Sequence, residues 1–117
     1  MSYRPRVFVP QVPMRYDSIK GRSVPKFDTL EQAKEYGDLV ILLDRNHDVL
    51  DPDACMKALR EGLKSFTAQD FILPMGSHHF MMWSAIVAVQ SGVTHIQSLQ
   101  WHSRDNEYHV LKTRIRP

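Results

Sequence analysis

The short segment Gly76-Ser77-His78-His79 carries the residue types that most suggest a binding site. It follows the apolar run Phe71–Leu73, and its glycine permits a tight turn into a helix capped by the serine. Backbone amides at a helix N-terminus can hold a phosphate or a carboxylate group. The segment matches neither the glycine-rich dinucleotide fingerprint nor a phosphate-binding loop that ends in Gly-Lys-Ser or Gly-Lys-Thr. A capped turn is therefore the first interpretation, and anion binding is the alternative.

Other polar and aromatic side chains also follow apolar runs. Asp44 and Arg45 come directly after Leu39–Leu43, and Trp101 ends the run that begins at Val93. Ligands of open α/β sheets bind beyond the carboxyl ends of the parallel strands, so these side chains are expected at one edge. We predict that any small-ligand site lies at this edge and uses Asp44, Arg45, Gly76, Ser77, His78, His79 and Trp101.

The nucleophiles and metal ligands form no recognisable catalytic pattern. The six histidines form no His-Glu-x-x-His motif, and the chain has no paired cysteines. Scattered surface histidines are therefore a better interpretation than a metal site. Cys55 lies on the apolar stripe of a helix, where a thiol is a small buried hydrophobe with a raised pKa. The sequence favours a non-enzymatic function and predicts no catalytic residue, metal or cofactor. A metal site, if present, would draw on His47, His78, His102 and Asp44.

Two helices are expected to position this edge. Asp51 is a natural N-cap with Pro52 at the first helical position, and the apolar periodicity through Leu63 predicts an amphipathic helix. A second helix is predicted from His78 to about Gln90 and has almost no polar face. We expect it to be the most buried helix, covered by the sheet and by a loop, the N-terminal segment or a partner.

The N-terminal part is basic, with six lysines and arginines against one acidic residue in 1–26. Arg6–Val9 predicts a short strand that Pro10 limits, and residues 10–26 are interpreted as a loop and as the most mobile segment. Residues 27–103 are acidic, so this arm could pack on the domain or contact an acidic partner. The candidate partner-binding residues are Arg15, Lys20 and Arg22.

The remaining segments complete the predicted fold. Asp28 and Glu31 have capping-box spacing, which predicts a two-turn helix stopped by a left-handed Gly37. A four-residue loop over 103–106 would join two final strands in an antiparallel hairpin. The fold class is α/β: one domain over 1–117, with a small mostly parallel sheet, two to three helices and this C-terminal hairpin. The pairs that the hairpin register predicts are Trp101 with Tyr108 and Leu99 with Val110.

Composition narrows the class of protein. The chain has 117 residues, 43% of them hydrophobic, which predicts a packed core and not disorder. The apolar run Phe80–Val89 is too short to span a membrane, and the N-terminus has no apolar stretch typical of a secretory signal. One cysteine excludes an internal disulfide. We therefore expect a cytoplasmic protein.

Several short motifs resemble a family of small proteins of tailed bacteriophages. They are Phe8–Arg15, Val24–Asp28, Glu35–Val40, Ile72–Gly76, and Leu99–Trp101 before Tyr108. The resemblance implies an accessory protein that acts inside the infected host cell, and it transfers no functional residue. We expect it to bind a host or phage protein, or alternatively nucleic acid. The alternative is a small nucleotide- or phosphate-binding protein, with catalysis left open.

Overall fold

The computed structural model describes residues 3–116, which form a five-stranded sheet, a separate two-stranded sheet and three helices. In chain order the elements are β1 (Arg6–Gln11), β2 (Met14–Asp17), β3 (Arg22–Pro25), α1 (Leu30–Ala33), β4 (Asp38–Leu43), α2 (Pro52–Gly62), β5 (Phe71–Ile72), α3 (His78–Gln90), β6 (His95–His102) and β7 (Glu107–Arg114).

The main sheet has the strand order β4-β1-β5-β6-β7. The first four of these strands are parallel, and β7 pairs antiparallel with β6. The predicted α/β class with a C-terminal hairpin is confirmed. The chain moves from β1 outward to β4 and then back across to β5, so the crossover direction reverses between β1 and β5. Such a switch point opens a crevice at the carboxyl ends of the two strands.

The hairpin of β6 and β7 has the register that the sequence predicted. Trp101 pairs with Tyr108 and Leu99 pairs with Val110, and residues 103–106 form the connecting loop. Side chains alternate between the two faces of a strand, so a slip of one residue would move Tyr108 from the core to solvent. The burial of Tyr108, which is 5% exposed, therefore fixes the register together with the turn.

Two layers of side chains cover the sheet. One core joins Phe8 and Ile72 to apolar residues of α2 and α3, and the other joins Val7, Val9 and Leu99 to Ala33 of α1 and its neighbours. Residues 7–9 of β1 are fully buried because this central strand is covered on both faces.

The amphipathic helix α2 begins as predicted. The Asp51 carboxylate accepts a hydrogen bond from the Ala54 amide at 3.3 Å, and Pro52 occupies the first position. Cys55 and Leu59 are buried on its inner face. These buried residues pack α2 against one face of the sheet, as the sequence predicts.

Helix α3 has the predicted bounds, but it is not covered all round. Phe80 and Val87 are buried in the core, whereas Met82 and Ile86 are 50% and 43% exposed. The helix packs on the sheet with one side only, so its apolar sequence leaves an exposed apolar face. No helix among residues 3–116 is long and apolar enough to cross a membrane.

The N-terminal expectations require three corrections. Residues 14–25, predicted as a loop, form the β2–β3 hairpin, which pairs with itself through Asp17 opposite Arg22. Pro10 does not end the first strand but lies within β1, which is a central strand of the sheet. The pairing of β1 with β5 is short and does not extend to Pro10. Helix α1 has a single turn, and Gly37 is required for close approach to the Pro5 carbonyl and not for a left-handed stop.

A buried carboxylate anchors the start of β1 to the segment before β5. Asp70 is fully buried, and its oxygens accept hydrogen bonds from the Tyr3 hydroxyl at 2.6 Å and from the Arg6 amide at 3.0 Å. Thr67 donates its amide at 2.8 Å, and the Arg6 guanidinium lies 3.1 Å away. Burial alone would raise the pKa of Asp70, but these hydrogen bonds and the arginine together lower it below its ordinary value.

Candidate functional site

An open cleft of about 720 Å³ lies at the carboxyl ends of β1, β5 and β6. The first turn of α3 forms one wall, and the segment that leads from β3 into α1 forms another. The main side chains of the cleft are Gln11, Lys26, Phe27, Met75, Met81 and Trp101.

The floor of the cleft is a tight contact between Gln11 of β1 and the turn after β5. Gly76 has a φ of +107°, and a side-chain carbon on it would lie 2.5 Å from Cβ of Gln11. Ser77 donates its amide to Oε1 of Gln11 at 2.9 Å, and the Gln11 amide donates to the Met75 carbonyl at 3.2 Å. A glycine is therefore required here both for its backbone conformation and for space.

Ser77 occupies the N-cap position of α3, as predicted, but its hydroxyl makes no capping hydrogen bond. Instead, the Ser77 amide donates to the side chain of Gln11 at the end of the neighbouring strand β1. His78 and His79 are exposed and do not line the cleft. The His79 ring lies 5.5 Å from the ring of Trp83 on the next turn of the helix.

Aromatic side chains form the wall opposite α3. The rings of Trp101 and Tyr108 meet edge to face at 5.0 Å, and the Tyr108 hydroxyl donates to the Thr29 carbonyl at 3.1 Å. This hydrogen bond ties β7 to the segment before α1. Phe27 is 45% exposed, and Nζ of Lys26 lies 5.7 Å from the centre of its ring. The wall therefore presents aromatic surface and one ammonium group to a ligand.

The cleft contains little that could transfer a proton. Among the described residues that line it, Lys26 carries the one permanent charge, and there is no aspartate, glutamate, histidine or cysteine. Cys55 is buried on the inner face of α2, where its thiol lies 3.3 Å from the Asp48 carbonyl. Burial, with the nearby charges of Asp51 and Asp48, raises the pKa of this thiol.

The structure brings three of the seven predicted edge residues to the cleft, namely Gly76, Ser77 and Trp101. Asp44 and Arg45 follow β4 at the same end of the sheet but do not line the cleft. Asp44 instead stabilises its own turn, because its carboxylate accepts from the Asn46 amide at 2.8 Å and lies 3.0 Å from Nδ1 of His47.

Sequence reasoning missed the side chains that β1 and the segment after β3 contribute to the cleft. Gln11 could not be placed because the sequence does not give the strand order that sets β1 beside β5. Phe27 lies beyond a segment interpreted as a loop. The partner-binding candidates Arg15, Lys20 and Arg22 are exposed on the β2–β3 hairpin, outside the cleft.

The fold and the cleft together define a small α/β protein with an open crevice at the switch point of a mostly parallel sheet. The chain belongs to the Phage Pam3 gp32-like protein family, whose family model matches residues 5–115. The resemblance to a family of small phage proteins is thus confirmed. No curated protein and no solved structure matches the chain significantly.

Proposed function

We propose that this phage protein is a non-enzymatic accessory protein that binds an apolar segment of a host or phage protein in the cleft. The composition of the cleft carries the proposal, since thioethers and aromatic rings line it and an acid–base pair does not. The protein would act in the cytoplasm of the infected cell.

The chemistry of the lining favours binding over catalysis. Proton transfer requires a side chain that exchanges a proton near neutral pH, held within hydrogen-bond reach of the reacting group. Lys26, with its ammonium beside an aromatic ring, is the charged group of the cleft, and the buried Cys55 lies elsewhere. A ligand in this cleft would be held and not transformed.

A protein segment suits this surface because its walls are adaptable and partly hydrophobic. Met75 and Met81 present unbranched thioethers, which repack around side chains of different shape. Phe27 and Trp101 offer rigid aromatic area, which contributes much of the binding energy in protein interfaces. Lys26 at the rim would favour a segment that carries a carboxylate beside its apolar residues.

A nucleotide or phosphorylated metabolite is the second candidate ligand. The position of the cleft at the switch point favours it, because α/β proteins commonly bind nucleotides there. Two observations weigh against a nucleotide. The Ser77 amide already donates to Gln11, and Arg45 lies outside the cleft, so Lys26 alone would meet the phosphate charge.

Site-specific photo-crosslinking in infected host cells tests the proposal. A photoreactive phenylalanine analogue at Pro74, which lines the cleft and is exposed, should capture a defined partner that mass spectrometry identifies. Phe27→Ala should reduce that capture severalfold with little effect on folding, since the ring is half exposed. Leu50→Ala is the matched control, because Leu50 is 86% exposed and lies outside the cleft.

The outcomes separate the two ligands. The proposal is contradicted if Phe27→Ala leaves the capture of the partner unchanged, or if Leu50→Ala reduces it as much as Phe27→Ala does. Titration of the purified protein with ATP, GTP and inorganic phosphate, followed by amide NMR, tests the second candidate. Saturable shifts confined to residues 76–79 and 101 would favour the nucleotide, and their absence at millimolar ligand favours the protein segment.

The basic hairpin supports a second, electrostatic contact. Arg15, Lys20 and Arg22 are exposed on β2, β3 and their turn, where an acidic protein surface or a nucleic acid could approach. Simultaneous reversal to glutamate should weaken partner binding and remove its salt dependence. Nucleic acid as the partner requires an affinity that falls steeply with salt, and a salt-independent affinity would exclude phosphate contact. Unchanged binding of the reversed variant would exclude this role for the hairpin.

A further inference from the structure

The end of the β6–β7 hairpin carries a cluster of metal-ligating side chains on the face opposite Trp101. Nδ1 of His102 lies 3.1 Å from Oδ2 of Asp105, and Nε2 of His109 lies 3.2 Å from the same oxygen. The three ligand atoms all fall within 4.8 Å of one another. We propose that His102, Asp105 and His109 form a binding site for a divalent transition-metal ion of the zinc type.

The hairpin register brings these residues together. Gln100 pairs with His109 and His102 pairs with Glu107, so the two histidines are diagonal neighbours on one face of the ribbon. Their rings stack at 4.7 Å with an angle of 12° between the planes. Asp105 belongs to the connecting loop and turns its carboxylate back toward both rings.

The distances suit a tetrahedral ion. Zinc binds imidazole nitrogen and carboxylate oxygen at about 2.0–2.2 Å, which sets tetrahedral ligand atoms roughly 3.3 Å apart. The two nitrogen–oxygen distances are already within about 0.2 Å of this separation. A rotation of one imidazole would bring the remaining nitrogen–nitrogen distance, at most 4.8 Å, into the same range.

Two groups of Asp105, its amide and its carboxylate, compete for Nδ1 of His102. Nδ1 of His102 faces both the Asp105 amide at 3.4 Å, which requires an acceptor, and the Asp105 carboxylate, which requires a donor. One tautomer satisfies only one of these contacts. An ion would use the nitrogen lone pair and the carboxylate oxygen together, and the exposed Asp105 amide would then be left to solvent.

The ligand set defines the class of ion. Two imidazoles and one carboxylate suit Zn²⁺ and its neighbours Co²⁺ and Ni²⁺, whereas Ca²⁺ and Mg²⁺ prefer oxygen ligands alone. Glu107 is the candidate fourth ligand, because its Oε1 lies 3.6 Å from Nε2 of His109. The ion would link β6, the loop and β7, and so fix the strands whose other face carries Trp101 and Tyr108 at the cleft.

Zinc titration of the tag-free protein, after treatment with a chelator, tests the site. Calorimetry with ZnCl₂ should show one ion per chain, and CoCl₂ should give the visible absorption of a tetrahedral cobalt ion. His102→Ala, Asp105→Asn and His109→Ala should each weaken binding by more than about tenfold, since even outer-shell partners of metal ligands contribute about 10- to 100-fold. Zinc should also raise the melting temperature of the native protein but not that of these variants.

His47→Ala is the matched control. His47 also lies beside an aspartate, 3.0 Å from Asp44, but without a second imidazole, so its removal should leave zinc affinity unchanged. All three ligands are at least two-fifths exposed, and His102→Gln provides a second variant in case the alanine variant misfolds. The proposal is overturned if zinc does not saturate a single site, if the ligand variants retain native affinity, or if His47→Ala loses it equally.

Discussion

Asp70 is a buried charged residue of the core, and its replacement by asparagine should strongly destabilise the domain. The carboxylate is fully buried and accepts from Tyr3, Thr67 and the Arg6 amide while it pairs with the Arg6 guanidinium. Asparagine preserves the shape but places an amide donor where an acceptor is required. In the native protein, the Thr67 amide and the Arg6 guanidinium both donate to Oδ2 of Asp70. In the variant, these two donors would face the NH₂ group of asparagine, which is also a donor.

The cost follows from the burial of the carboxylate. Removal of one partner from a buried ion pair costs about 3–5 kcal/mol. The Arg6 side chain is 26% exposed and can recover hydration, so we expect the lower end of this range. A domain of this kind has a total stability of about 5–15 kcal/mol, so Asp70→Asn removes a large part of it. Asp38 provides the control: it pairs with Arg4 at 2.7 Å, but both side chains are more than 60% exposed, and Asp38→Asn should cost at most about 1 kcal/mol.

Urea denaturation at several pH values measures both effects. The pKa of Asp70 in the folded protein lies below its ordinary value of 3.8, so its contribution is complete above that value and is lost as the pH falls through the folded pKa. The gap in unfolding free energy between the native protein and Asp70→Asn should therefore be constant near neutrality and should narrow in acid. A gap below about 1 kcal/mol at pH 7, or one that does not narrow, would refute this reasoning.

Three further outcomes follow from the structure. The Cys55 thiol should react with Ellman's reagent only after unfolding, because it is buried and its pKa is raised; rapid reaction of the native protein would contradict its placement. Gly76→Ala should cost at least about 1–3 kcal/mol in urea denaturation, from the positive φ and the overlap with Gln11; an unchanged midpoint would contradict the turn. Phe80→Ala should cost about 3–5 kcal/mol, since the ring is 1% exposed. Met82→Ala should cost about 1 kcal/mol at most, since that side chain is half exposed, and equal losses would show that α3 is covered on both sides.

Part of the candidate metal site was implicit in the predicted hairpin. The pairing of Trp101 with Tyr108 already places His102 and His109 on one face as diagonal neighbours. Their spacing along the chain matches no metal motif, because such motifs describe ligands on helices and in tight loops. The signal was the strand register, and a comparison of the histidines across the ribbon would have found it.

The sequence by itself determined the features that depend on near neighbours. The Asp51 cap and Pro52 set the start of α2, and the bounds of α3 follow its apolar run. The alternation of Leu99 and Trp101 set the hairpin register, since a period of two residues assigns each side chain to a face. These signals are local because capping, turns and amphipathic periodicity act over a few residues.

Only the tertiary structure decided which distant residues meet. Tyr3 and Asp70 are 67 positions apart, and Gln11 and Ser77 are 66 apart, yet each pair shares a hydrogen bond. Both contacts exist because β5 lies beside β1, and the order of strands is not encoded in the periodicity of any one of them. The exposed side of α3 is undetermined in the same way, because an apolar side chain such as Ile86 is buried only if another element reaches it.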